Sequence, residues 1–163
     1  MNDKAELEKE TVEFKIILDS VWHNEPPKYQ VLLDGEIIEN GTVVEKEENN
    51  EEKVISFSRV LLEGEHILQI RLLDKQNHHT KIDENNNIIA DQLLNIKQIE
   101  IDEIELDYLF YQLGKYHKQM NDNIDFPFYE AEPLPESYKN LGYNGEWRLN
   151  FTVPTYMWFL ENL

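Results

Sequence analysis

The segment NHHTKIDENNNIIADQ, residues 77–92, gathers two adjacent histidines, two aspartates, one glutamate and four asparagines. Two kinds of metal chemistry are open to it. Calcium takes several hard oxygen ligands, and Asp83, Asn85, Asn87 and Asp91 offer side-chain oxygens at alternating positions. The helix–loop–helix calcium pattern fails, because Ile88 stands where that loop needs glycine and Leu94 where it needs a bidentate glutamate. The competing reading is that Asn and Asp cluster in loops to cap turns and to occupy left-handed backbone. Zinc would draw on His78 and His79. Neighbouring residues of a strand point to opposite faces, so both imidazoles reach one ion only where the chain bends.

Other site chemistry is thinner. Cysteine is absent, which excludes thiolate metal sites and cysteine nucleophiles. Ser20, Ser56, Ser58 and Ser137 lie outside any strand–turn–helix nucleophile elbow. Carboxylate pairs are too abundant to mark an acid–base couple, so a non-enzyme is expected. Sugar rings stack on Trp and Tyr faces. Trp22, before a Pro-Pro turn, and Tyr143, between two glycines in LGYNGEW, are the glycan-stacking candidates, while Trp147 and Trp158 sit in apolar patterns that read as core.

A chain of 163 residues with 40% hydrophobic residues fits one domain with a real core. The formal charge of −18 repels phosphate backbones and anionic lipid, so neither nucleic acid nor membrane is an expected partner.

The elements that must position these residues are strands. TVEFKIILDSV alternates with Val12, Phe14, Ile16 and Leu18 on one face. Asp34-Gly35 predicts a tight hairpin between KYQVLL and EIIENGTVV. KVISFSRVLLE and GEHILQIRLLD, divided at Glu63-Gly64, predict a second hairpin. LLNIKQIEIDEIEL slips phase near Lys97 and Gln98, which a β-bulge absorbs. LDYLFYQLGKYH is the one helix-period stretch, and GEWRLNFTV is the last strand before Pro154. The fold class expected is an all-β antiparallel β-sandwich, of jelly-roll or immunoglobulin-like type, in a single domain over 1–163. An acidic segment precedes it at 1–10, a Pro- and aromatic-rich excursion interrupts it at 114–145, and a C-terminal aromatic tail closes it at 154–163. Tail residues are expected to pack on this domain or a neighbour, with Tyr156, Trp158 and Phe159 as partner contacts.

The order VLLDGE, LLEGEHILQIRLLD, an Asp/Asn-rich loop and DQLLNIKQIEIDEIEL resembles the small calcium-dependent xylan-binding carbohydrate modules, over roughly residues 12–106. That resemblance implies a β-sandwich holding calcium against sugar hydroxyls, with Asp74 and Asp91 nearest the ligand positions and Asn95 beside them. LGYNGEWRLNFTVPTYMWFLENL is similar instead to the C-termini of uncharacterised structural proteins of marine tailed phages. The expected function is a non-enzymatic structural or accessory subunit of a tailed-phage virion, on capsid or tail, with glycan binding as an added capacity. Its partners would be other virion chains and a host-surface glycan, its location the virion after synthesis in host cytoplasm, and calcium its one candidate cofactor. The alternative is a free calcium-dependent carbohydrate-binding module, and a glycan-active enzyme using an Asp/Glu pair is the third class.

Overall fold

The computed structural model describes residues 8–119 and 139–162. Strands β1 (Lys9–Val21), β4 (Lys53–Leu62), β8 (Leu93–Ile101), β9 (Ile104–Glu105) and β11 (Asn140–Leu141) form one sheet, in the order β11-β8-β1-β4 with β9 on β8. Strands β2 (Lys28–Leu33), β3 (Glu36–Thr42), β5 (Gly64–Leu73), β10 (Lys115–Lys118) and β12 (Gly145–Val153) form the other, in the order β10-β12-β5-β2-β3. Pairing within both is antiparallel. The chain is therefore an all-β antiparallel sandwich, with one short hairpin, β6 (Lys81–Ile82) with β7 (Ile88–Ala90), standing outside the two layers.

Alternation builds the core. Val12, Phe14, Ile16 and Leu18 of β1 are buried with Leu68, Ile70 and Leu72 of β5 and with Trp147, Leu149, Phe151 and Val153 of β12. Each large side chain so buried contributes roughly 1.5–3 kcal/mol. Asp34 and Gly35 take φ of 52° and 80°, as the predicted β2–β3 turn requires. The expected bulge lies at Lys97: β1 pairs Ile17 with Gln98 and Leu18 with Ile96, so Lys97 is the extra residue. Leu94, Ile96, Ile99 and Ile101 consequently all face the core despite the phase slip.

Two expectations are corrected. β4 and β5 do not pair with each other: β4 pairs with β1, and β5 with β2 and β12. Glu63 alone joins them, with Gly64 at φ 123°, so the chain crosses from one sheet to the other instead of reversing within one. Inward faces on both strands serve the same core, which alternation alone cannot distinguish from a hairpin. The aromatic tail is a helix, α2 (Thr155–Asn162), and Trp158 and Phe159 are buried in this chain's own core, Trp158 edge-on to Phe151 at 6.2 Å. They are not available as partner contacts, whereas Tyr156 is exposed. The excursion at 114–145 is anchored at its ends by β10 and β11, and a short helix, α1 (Tyr108–Leu113), precedes it. Its middle lies outside the described residues, as does most of the acidic segment at 1–10, whose last two residues begin β1.

Candidate functional site

Three connections meet at one end of the sandwich: residues 22–27 between β1 and β2, 74–92 between β5 and β8, and 142–144 between β11 and β12. Their strands are in register there, Val21 opposite Leu93, Lys28 opposite Leu73, and Gly145 opposite both Leu72 and Lys118. Gly145 leaves room for that crowding, since a Cβ on it would stand 2.4 Å from the His117 carbonyl oxygen.

A polar floor ties the loops together. Lys75 Nζ donates to Asp91 Oδ1 at 2.7 Å and to the Gly142 carbonyl at 2.7 Å. Asp91 Oδ1 also accepts from Thr80 Oγ1 at 2.7 Å and from the Gln92 N–H at 2.8 Å. Burial opposes ionisation of Asp91, but these donors and the Lys75 charge outweigh it and hold its carboxyl below the usual range. Asn144 acts as a backbone mimic, its Oδ1 accepting from the Lys75 N–H at 2.8 Å and its Nδ2 donating to the Lys75 carbonyl at 3.0 Å. Tyr116, buried below, hydrogen-bonds the Tyr143 backbone through its hydroxyl, and the Gln119 N–H donates to the Asn144 carbonyl at 2.7 Å. The turn that carries Tyr143 is thus fixed from three sides.

Above this floor opens a cleft of about 480 Å³, lined by Gln76, Asn77, Lys118, Gln119 and Tyr143, with Ile88 of the hairpin as an apolar wall. The Tyr143 side chain is 55% exposed, and Lys118 Nζ lies 4.3 Å from its ring centroid. Trp22 lines a second cleft, of about 570 Å³, with Ile89, Lys46 and Glu47. Its indole N–H donates to the Val44 carbonyl at 3.3 Å and its ring carries Lys46 Nζ at 4.1 Å. Ile88 lines the first cleft, and Ile89, the extra residue at a bulge in the β6–β7 ladder, lines the second. The hairpin is a partition, and Asp91 at its base lines both sides.

The expected calcium ligands do not converge. Asp83 Oδ1 accepts the N–H groups of Asn85 at 2.8 Å and Asn87 at 2.9 Å, and these bonds, Asn87 first, hold its carboxyl below the usual range. Asp83, Asn85 and Asn87 therefore cap one turn, while Asp91 sits at the other end of the β6–β7 ladder with the Lys75 ammonium on it. The positions implied by the resemblance each have a partner of their own. Asp74 faces Lys28 at 3.6 Å, and the buried Asn95 donates to Asp19 at 2.8 Å. Among the described residues these carboxylates join no group of three candidate ligand side chains, so they do not fit a resident calcium ion.

The histidines do meet. A 3-10 turn over Asn77–His79 provides the bend, bringing the His78 and His79 rings to 4.2 Å and both to Glu25, with candidate ligand atoms within 4.8 Å of one another. His23 donates to the His79 carbonyl at 2.9 Å, and Asn24 to that of His78 at 3.4 Å. The two imidazoles, His79 foremost, hold the Glu25 carboxyl below the usual range. Zinc is nonetheless opposed by the tautomer. His79 Nδ1 accepts the Gln76 N–H at 2.8 Å, which places the ring proton on Nε2. Nε2 then faces Glu25 Oε2 at 3.3 Å with its N–H and has no lone pair for a metal.

Of the residues singled out in the sequence, Tyr143, Trp22 and Asp91 reach the loop-end clefts. Lys75, Lys118, Gln119 and Asn144 were missed. Asn144 had one visible signal, its place beside Tyr143 between two glycines.

Fold and site together define an all-β sandwich with a polar, aromatic-edged cleft at one loop end. No family model matches the chain, and no curated protein does. It is similar to the solved structure of vCBM60 in complex with galactobiose, at 8% identity and a TM-score of 0.45, over 86% of this chain and 97% of that one. It is also similar to a selenomethionine form of vCBM60, described with a circular permutation linking two families of calcium-dependent carbohydrate binding modules, at 8% identity and a TM-score of 0.47, over 85% of this chain and 89% of that one.

Proposed function

We propose that this chain is a non-catalytic saccharide-binding protein and that the Tyr143 cleft is its site. One observation carries the reading: a half-exposed aromatic ring stands on a turn that is hydrogen-bonded from three sides, at the edge of a cleft rich in amide and ammonium groups. A pyranose presents an apolar face for stacking and a ring of hydroxyls for such groups. Preorganisation matters because each side chain ordered on binding costs about 0.5–1.5 kcal/mol, and the floor is already ordered. Because Lys75 supplies the cation for Asp91, binding in this cleft requires no calcium.

Isothermal titration against a panel of oligosaccharides tests this. Tyr143→Ala should weaken binding at least tenfold, which is about 1.4 kcal/mol, with the melting temperature unchanged. Full affinity in that variant, or no binding by the wild type across the panel, would refute the assignment.

A second reading is a structural subunit that contacts other chains, a virion's among them, through the exposed apolar Tyr156, Met157 and Leu160 of α2, which fit a partner surface of any kind. Its test is incorporation: Tyr156→Ser with Leu160→Ser should leave folding intact and remove the chain from purified particles. Equal incorporation, or the absence of the wild-type chain from particles, counts against it.

A further inference from the structure

Among the described residues, three charged side chains line the Tyr143 cleft, namely Lys75, Asp91 and Lys118. Lys75 and Asp91 cancel at 2.7 Å. Lys118 has no ion pair among the described residues and rests over the Tyr143 ring. The charge left over is positive, in a chain whose formal net charge is −18. The Trp22 cleft has the opposite balance: Lys46 pairs with Glu48 at 3.5 Å, which leaves Glu47 beside the shared Asp91.

Resting on the saccharide reading, we propose that the Tyr143 cleft selects an anionic sugar, one bearing a carboxylate or sulfate, and that Lys118 is the selecting residue. The ammonium lies over the Tyr143 ring, so a sugar that stacks there moves it only to the ring's edge, where an acidic substituent meets three N–H donors without a new side chain being drawn in. The long-range field of an acidic protein opposes such a ligand. It is screened beyond roughly 8 Å at physiological salt, whereas a contact pair at about 4 Å is not. At that ionic strength the local cation decides the preference.

Matched probes test this by calorimetry near physiological salt: galactotetraose against tetragalacturonate, and lactose against its sulfated form, which separates carboxylate from sulfate. The acidic member of at least one pair should bind about three- to fivefold more tightly, the range set by a partly exposed ion pair. Lys118→Gln should bind both members of that pair at the neutral member's affinity, and Tyr143→Ala should weaken both. Equal affinities in the wild type, a preference that survives Lys118→Gln, or one abolished by Trp22→Ala would overturn the inference while leaving saccharide binding in place. Failure of every probe to bind would refute both.

Discussion

Replacing Lys75 by methionine keeps its aliphatic stem and removes the ammonium that joins Asp91 to Gly142. The side chains of the pair are 10% and 20% exposed, which places it between two limits. Exposed pairs contribute 0–1 kcal/mol, and breaking a fully buried one costs about 3–5 kcal/mol. Asp91 keeps Thr80 and Gln92 as donors, so the loss should fall near the middle, at ~2 kcal/mol, lowering the melting temperature by about 5 °C for a chain of this size. Asp91→Asn alone should cost less, because the amide oxygen still accepts from Thr80 and Gln92. The double variant should be more stable than the sum of the singles predicts, with a coupling of about 1 kcal/mol, since removing the anion relieves the unpaired charge left by Lys75→Met. Urea unfolding of the four proteins measures this. A Lys75→Met cost below about 0.5 kcal/mol, or strict additivity, would show that the pair is ordinary surface electrostatics. A rise in the wild-type midpoint with millimolar calcium would show an ion competing successfully with the ammonium.

Two further outcomes follow from other parts of the fold. His66 has both ring nitrogens against acceptors, Nδ1 on Asp34 Oδ2 at 2.7 Å and Nε2 on the Leu62 carbonyl at 2.7 Å. Burial opposes its protonation, but Asp34 and the carbonyl outweigh that and raise its pKa above 6.5, so its stabilisation is full below pH 6.5 and is lost as pH rises through the raised value. His66→Gln should flatten the stability–pH curve in that window, and an unchanged slope would contradict the two-acceptor geometry. In the tail, Trp158→Ala should cost about 3–5 kcal/mol in the isolated protein. Leu160→Ser, on the exposed face of α2, should stay within about 0.5 kcal/mol in the same urea measurement. Similar effects for the two would mean the helix does not dock as described.

What alternation can express was legible in the sequence, and what depends on partner choice was not. The inward faces of β1 and β12, the Asp34-Gly35 turn and the bulge at Lys97 follow from period and local conformation. Whether β4 meets β5 or β1 is a choice between two antiparallel pairings with the same buried face, and it turns on the connection being one residue long. At the site, Tyr143 was visible from its flanking glycines. Lys75 and Asp91 lie sixteen positions apart, and nothing local to either signals that the loop closes on the pair.

The hairpin that first suggested a metal site is better explained by its isoleucines than by its asparagines. Asp83 and Asn87 shape the turn with their own hydrogen bonds, which leaves the polar residues a structural role. Ile88 and Ile89, by contrast, stand exposed at 63% and 56% on β7, with Ile89 at the bulge of the two-stranded ladder. Apolar side chains at the tip of a polar loop gain nothing in the unliganded protein. Each faces a cleft with an aromatic ring, Tyr143 for Ile88 and Trp22 for Ile89. Burying one such side chain under a ligand is favourable by roughly 25 cal/mol for each Å² covered, and the hydrogen-bonded turn holds it in position beforehand. On the proposed saccharide reading, the turn built by Asp83, Asn85 and Asn87 serves the site indirectly, by presenting an apolar wall opposite an aromatic one.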